Sequence, residues 1–260
     1  MRRRYLFWGS VLILLSALFL LKALGIINDV MGYFWLLALG LLGIWFIVRA
    51  LWNPRGEEGE QVAIELNDAK QASLHLNHGA GRMTIGCGAG AGQLLSGTFS
   101  YGLDYKTKMV GDKLEVRMRS ASHFGPFIGE GHDWHLNLTR DIPLSLSINS
   151  GASESKIDLS ELRVPYLKLE TGASSTSLTM PAQAGNTLAE INAGVASVDI
   201  RVPEGVAARI RIKEGLSSRN INSARFPRLE GGIYQSPDYD QAANRVELTI
   251  EAGVGSINIH

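Results

Sequence analysis

Few side chains in this sequence are of the types and spacings that do chemistry. His132, Asp133 and His135, with His123 upstream, make the one cluster of metal-ligating residue types. If residues 134–138 form a strand, His132 and Trp134 project to one face while Asp133 and His135 project to the other. The two histidines then cannot share an ion, and the segment reads as a solvated loop beside an edge strand. Gly86-Cys87-Gly88-Ala89-Gly90-Ala91-Gly92 has the look of a phosphate-cradling loop. It lacks the Lys-Ser/Thr that grips phosphate and a following helix to point its dipole at one. Cys87 has no basic or imidazole neighbour in sequence to stabilise a thiolate, so it reads as a passive thiol. Ser153, Ser155, Ser174, Ser175, Ser177, Ser197, Ser217 and Ser218 are numerous, but no G-x-S-x-G elbow frames any of them. Asp238 and Asp240 follow Pro237 and read as a surface turn. The expectation is a protein that is not an enzyme, with no catalytic residues, no cofactor and no metal.

The elements around these residues divide the chain in two. Residues 1–56 carry Arg2, Arg3, Arg4, Lys22, Arg49 and Arg55 against Asp29 alone, a net charge of +5. The remainder carries 19 basic and 24 acidic residues, a net of −5, so the overall zero describes neither part. A single cysteine excludes a disulfide-stapled scaffold. The acidic remainder lacks the dense basic stripe of a nucleic-acid binder.

Residues 5–24 and 33–52 are apolar runs of 20 residues each, interrupted only by Lys22 and Arg49 near their ends. A helix of that length covers about 30 Å, the hydrocarbon thickness of a bilayer. Two spanning helices joined by the short segment 25–32 form a transmembrane hairpin over residues 1–52. The cations flank the outer ends of the pair and the connecting turn has none, so both termini are expected in the cytoplasm. Residues 53–60, with Pro54, Gly56 and Gly59 among polar neighbours, form the linker.

Beyond the linker the apolar residues alternate at period two. Leu74/Leu76, Leu114/Val116/Met118, Leu136/Leu138, Leu144/Leu146/Ile148, Leu167/Leu169, Val198/Ile200 and Val246/Leu248/Ile250 all fit half-buried strands. Six segments then align without gaps: LNHGAGRMTI from Leu76, INSGASESKI from Ile148, LETGASSTSL from Leu169, INAGVASVDI from Ile191, IKEGLSSRNI from Ile212 and IEAGVGSINI from Ile250. Each holds a glycine (Gly79, Gly151, Gly172, Gly194, Gly215, Gly253) with an aliphatic residue three before it and another six after it. Such a glycine marks either positive φ or close backbone packing. The four middle glycines are 21, 22 and 21 residues apart, which suits a stack of β coils with one rung per repeat. An N-terminal β region over 61–140 would cap the repeat region of 141–260, and residues 222–244 would be an insertion. Arg209, Arg211 and Lys213 form a basic strand face that either pairs with acids on neighbouring rungs, the commoner arrangement, or docks an acidic partner.

The basic start, the FWG and FWLLALGLLG runs and the short turn between them resemble the LiaI/LiaF-type transmembrane hairpin. The GAS, GASS and GVAS repeats, with the closing stretch from Pro237 to Ile257, resemble the toast-rack β domain of LiaF-like cell-wall-active-antibiotic response proteins. Together the resemblances span nearly the whole chain. They imply a membrane-anchored all-β fold, a two-helix transmembrane hairpin plus a β-solenoid-like stacked-sheet domain, in a bacterial plasma membrane. They also imply a regulatory role in envelope stress, with a sensor kinase or another membrane protein as partner. A self-associating structural or adhesin-like protein, on the outer face if the topology is reversed, is the alternative.

Overall fold

In the computed structural model the chain divides into two units, Met1–Arg55 and Gly56–His260. The structure describes residues 59–100, 102–120 and 133–260. The expected membrane hairpin, His123 and His132 lie outside the described residues. No helix among the described residues is long and apolar enough to cross a membrane.

Twelve strands form the described part: β1 (Glu60–Glu65), β2 (Gln71–Cys87), β3 (Gln93–Phe99), β4 (Leu103–Val110), β5 (Lys113–Ser120), β6 (Trp134–Leu138), β7 (Leu144–Asp158), β8 (Tyr166–Thr179), β9 (Asn186–Arg201), β10 (Ala207–Ile221), β11 (Tyr234–Gln235) and β12 (Arg245–Ile259). Each glycine repeat is one long strand. The alternating aliphatic residues named above as strand signals are all buried.

Neighbouring strands of the repeat run parallel in continuous register, for example Leu146 beside Leu167 and Ile157 beside Leu178. A straight strand of 15 residues such as β7 would be about 50 Å long. The link from β7 to β8, residues 159–165, reaches only about 25 Å when fully extended. Parallel neighbours can therefore be joined this way only if each strand folds back towards its own start. The burial pattern locates the corner. In β7 the buried residues are even-numbered from Leu144 to Ser150 and odd-numbered from Ser153 to Ile157, with Gly151 and Ala152 both exposed. The inward parity slips by one residue at the glycine, so both halves of the strand face the same core. Each rung thus has three sides: two strand halves and a link whose aliphatic residues, such as Leu159, Leu162 and Val164, are also buried.

The strand order is β1-β3-β6-β2-β7-β8-β9-β12-β10-β11, with β5 beside β2 and β4 beside β5. Both β5 and β6 lie along the same side of β2, β5 on its first half and β6 on its second, so the N-terminal β region closes that end of the stack. The other end departs from a stack built in chain order. Strand β12 enters between β9 and β10, pairing with both in parallel. The insertion supplies the detour: it holds Phe226, fully buried, and the short β11, which pairs with Arg209 and Ile210. Arg225 ties the insertion to the preceding link by donating to the carbonyls of Val202, Pro203 and Val206.

Candidate interaction surface

The repeat glycines line up across the stack as Gly79, Gly151, Gly172, Gly194, Gly253 and Gly215, in the order set by the strand registers. None has a positive φ. Close packing is what requires them. A Cβ on Gly172 or Gly194 would lie 2.9 Å from the carbonyl oxygen of the preceding glycine, and one on Gly253 or Gly215 would lie 2.8 Å from it. On Gly151 the distance is 2.6 Å, whereas on Gly79 a Cβ would meet nothing within 4 Å. Side chains at this corner would push against backbone on the next rung.

Two columns flank the glycines. On one side Asn77, Asn149, Glu170, Asn192, Glu251 and Lys213 stand in register, and from Asn149 onward they border a shallow, open groove of about 720 Å³ floored by the glycines. These polar groups bind one another. Asn149 Nδ2 donates to Glu170 Oε2 at 3.3 Å, Lys168 Nζ lies 2.8 Å from Glu170 Oε1, and Lys213 Nζ donates to Glu251 Oε1 at 2.9 Å. The Glu170 carboxylate holds the Lys168 ammonium above its ordinary pKa. On the other side the residues after the glycines form a ridge: Ala80, Ala152, Ala173, Val195, Val254 and Leu216. All are exposed, Val195 by 63% and Leu216 by 83%. The ridge thus carries alanines near β2 and larger side chains towards β10. Apolar side chains aligned in the open are unlike the scattered exposed aliphatics of an ordinary surface.

Beneath the corner the rungs differ. In β7 Ser153 Oγ donates to Ser150 Oγ at 3.0 Å, and in β8 Ser174 Oγ donates to Thr171 Oγ1 at 2.9 Å. In β9 the same places hold Ala193 and Ala196. These hydroxyls close the corner from inside. Ser175, Ser177, Ser197 and Ser218 instead lie on the outer face of the second strand halves, and all four are exposed.

The other residues singled out by type fall apart in space. Trp134 is buried with edge-on rings of His78 and Phe99, while His135 is exposed on the opposite face. The Asp133 carboxylate accepts from Arg82 Nη2 at 2.7 Å while its backbone N–H donates to Ser100 Oγ at 2.6 Å, and the Arg82 hydrogen bond holds the carboxyl below the usual range. No group of three His, Cys, Asp or Glu among the described residues is placed to hold a metal ion. Cys87 ends β2, partly buried, and burial pushes its thiol pKa up. The basic face of β10 pairs with acids as expected: Arg211 with Glu247, Lys213 with Glu251, and Arg209 with Asp240 at 3.2 Å. Arg209 also stacks over Tyr239, 4.2 Å from its ring centre. The ridge was hidden from sequence reasoning because an aliphatic beside a buried column reads as more core. Its signal was the two-residue break in alternation at every glycine.

Comparison with known proteins bears on the same residues. The family model for the N-terminal domain of toast_rack, DUF2154, matches residues 53–201. No curated protein matches the chain. A crystal structure from Clostridium sporogenes, of a protein provisionally named for cell adhesion, is 25% identical, covers 78% of this chain and 98% of its own, and superposes with a TM-score of 0.71. A Bacteroides fragilis protein provisionally named an adhesin is 7% identical over 79% of this chain and 98% of its own, at a TM-score of 0.28 that supports no comparison.

Proposed function

This chain belongs to the toast_rack family, whose N-terminal domain it carries over residues 53–201, and from that premise we propose that it is a non-catalytic, membrane-anchored interaction module of the bacterial envelope-stress response. The observation that supports this best is the exposed apolar ridge from Ala80 to Leu216, carried beside a corner where from β7 onward each rung's glycine packs against the backbone of the last. A rigid stack offers a partner a preorganised surface, so little ordering entropy is spent on docking. The apolar runs 5–24 and 33–52 would hold that surface beside the inner leaflet, where a sensor kinase or another membrane protein meets it.

Crosslinking in native membranes, followed by mass spectrometry, tests this. A distinct membrane protein joined through residues near Val195, Val254 or Leu216 is expected. Adducts confined to the stack's charged faces, or none, would refute the reading. A reporter fused after His260 must also remain cytoplasmic.

A second reading, a self-associating adhesin-like protein, is favoured by one observation. The Clostridium sporogenes protein that shares the fold at 25% identity is provisionally named for cell adhesion.

A further inference from the structure

We propose that the β4–β5 hairpin docks on an anionic bilayer surface, with Lys106 and Arg117 taking headgroup phosphates and Tyr105 entering the interface. The inference rests on the membrane-anchored reading above and adds a lipid partner to it.

Charge supplies the first argument. Residues 103–120 carry five basic and three acidic side chains, a net of +2, whereas the rest of residues 57–260 carries 14 basic and 21 acidic, a net of −7. The hairpin is a basic element on an acidic domain. Its cations share one face, because residues directly opposite on antiparallel strands project the same way. Asp104 faces Arg119 and accepts from its Nε at 3.3 Å, and Lys108 faces Glu115. Lys106, in contrast, faces Arg117. Both are exposed, and no carboxylate among the described residues is within ion-pair distance of either. Like charges directly opposite destabilise a ladder, and an anion between them removes the penalty. Lys106, Arg117 and Arg119, with Asn77 and Tyr105, line a hollow of about 350 Å³. It has room for a phosphate group, which a guanidinium fork grips through two parallel hydrogen bonds.

The apolar side chains supply the second. Tyr105 and Met109 stand opposite Met118 and Leu114, which are buried, yet are themselves 45% and 40% exposed. Strand β4 therefore carries the core-side face of the sheet one strand past the core and leaves it in the open. Val110, beside the hairpin turn, is exposed as well. Lysine is a common guard on an edge strand. That role accounts for Lys106 and Lys108 but not for Arg117 and Arg119 one strand inward, nor for the apolar residues among them. A bilayer surface calls for both: cations for the headgroups, and an amphipathic ring with apolar neighbours for the boundary layer.

The chain path supplies the third. Leu103 N, at the start of β4, donates at 3.1 Å to Oε2 of Glu60, the first residue of β1. The hairpin thus begins where the chain enters the β domain. An anchor ending at residue 52 leaves residues 53–59 before that point, a reach of about 25 Å when fully extended. Such a tether would keep Tyr105, Lys106 and Arg117 near the headgroups and make docking intramolecular, so that a weak attraction suffices. Each Lys or Arg close to an anionic leaflet multiplies the docked-to-free ratio about fivefold.

The test uses the full chain in lipid nanodiscs, with Cys87 replaced by serine and a fluorophore on Thr107→Cys, an exposed position between Tyr105 and Met109. Quenching by lipids with nitroxide headgroups reads contact with the surface. Discs rich in phosphatidylglycerol should quench the fluorophore, and discs of phosphatidylcholine should not. Lys106→Gln combined with Arg117→Gln should lower the docked-to-free ratio in the anionic discs about 25-fold. Salt at about 1 M, where the Debye length is about 3 Å, should release the hairpin, and millimolar inorganic phosphate should not. Ser177→Cys is the control: it is exposed on the outer face of the second strand halves, four strands and about 19 Å from β4 across the sheet, and should stay unquenched. Lys106, Thr107 and Arg117 are all exposed, so the variants should keep the wild-type circular dichroism spectrum.

Equal quenching in both lipids, quenching in neither, displacement by inorganic phosphate, or indifference to the double substitution would each overturn the proposal. Quenching that appears only when native membrane proteins are added would assign the face to an acidic protein and overturn it too. Co-elution of the chain with the discs reports the anchor separately. If the chain co-elutes and Thr107→Cys stays unquenched, the anchored reading stands and this one falls. If the chain does not co-elute, both fall.

Discussion

Replacing Gly151 and Gly79 with alanine, one at a time, should move stability in opposite directions although the two residues hold the same place in adjacent repeats. A Cβ at Gly151 would lie 2.6 Å from the Gly79 carbonyl oxygen, where ordinary contact begins at 3.4 Å. The rungs would have to part by about 0.8 Å on the scale of van der Waals contacts. That movement is resisted from both sides, because β7 is hydrogen-bonded in register to β2 and to β8. Overpacking of this kind typically costs about 1–3 kcal/mol. Against it stands the loss of unfolded-chain freedom on going from glycine to alanine, which stabilises by about 0.4–1 kcal/mol. Gly151→Ala should therefore be destabilised by about 1–2 kcal/mol. At Gly79 a Cβ meets nothing within 4 Å and φ is not positive, so only the stabilising part remains. Thermal unfolding of the β domain, followed by circular dichroism, reads the difference. One kcal/mol corresponds to about 2–4 °C for a domain of this size. The transition should fall for Gly151→Ala and hold or rise for Gly79→Ala. Equal shifts in the two variants would show that the glycines serve conformational freedom and would refute the close-packing argument.

The ridge and the core should separate cleanly. Leu216→Ser, at a position 83% exposed, should change stability by less than about 0.5 kcal/mol, whereas Leu169→Ala, fully buried, should cost about 2–5 kcal/mol; chemical denaturation measures both. Phe226→Ala should cost about 3–5 kcal/mol and loosen the insertion over β10, seen as faster hydrogen exchange at Arg209 and Ile210. Asp133 titrates below its ordinary value because Arg82 binds its charged form. Its contribution is therefore present above the unfolded carboxylate pKa and lost as pH falls through the depressed folded value, so Arg82→Met should raise the Asp133 pKa seen by NMR and flatten acid unfolding. Alkylation of Cys87 should reach half its limiting rate above the pH of a free thiol, since burial raises its pKa.

The amino-acid sequence by itself determined the alternating strand segments of the repeat, their buried residues and the period, but it did not mark β1, β3, β4 or β11. Alternation at Leu144, Leu146 and Ile148 is a local consequence of side chains pointing to opposite faces of a pleated chain, and needs no knowledge of neighbours. The pairing of Arg211 and Lys213 with acids was likewise legible, because matching positions of a repeat must become neighbours on adjacent rungs. Only the tertiary structure decided that β12 lies between β9 and β10. Repeats of equal period fit beside one another in any order, so the order depends on where a long insertion lets the chain return. Only the structure, too, showed why the glycines are glycine: the obstacle at Gly151 is the carbonyl of Gly79, 72 residues away in the chain. The same corner turned Val195 and Leu216 outward. A one-residue slip in parity moves a side chain from core to solvent, and that slip is set by how a bent strand keeps both its halves against one core.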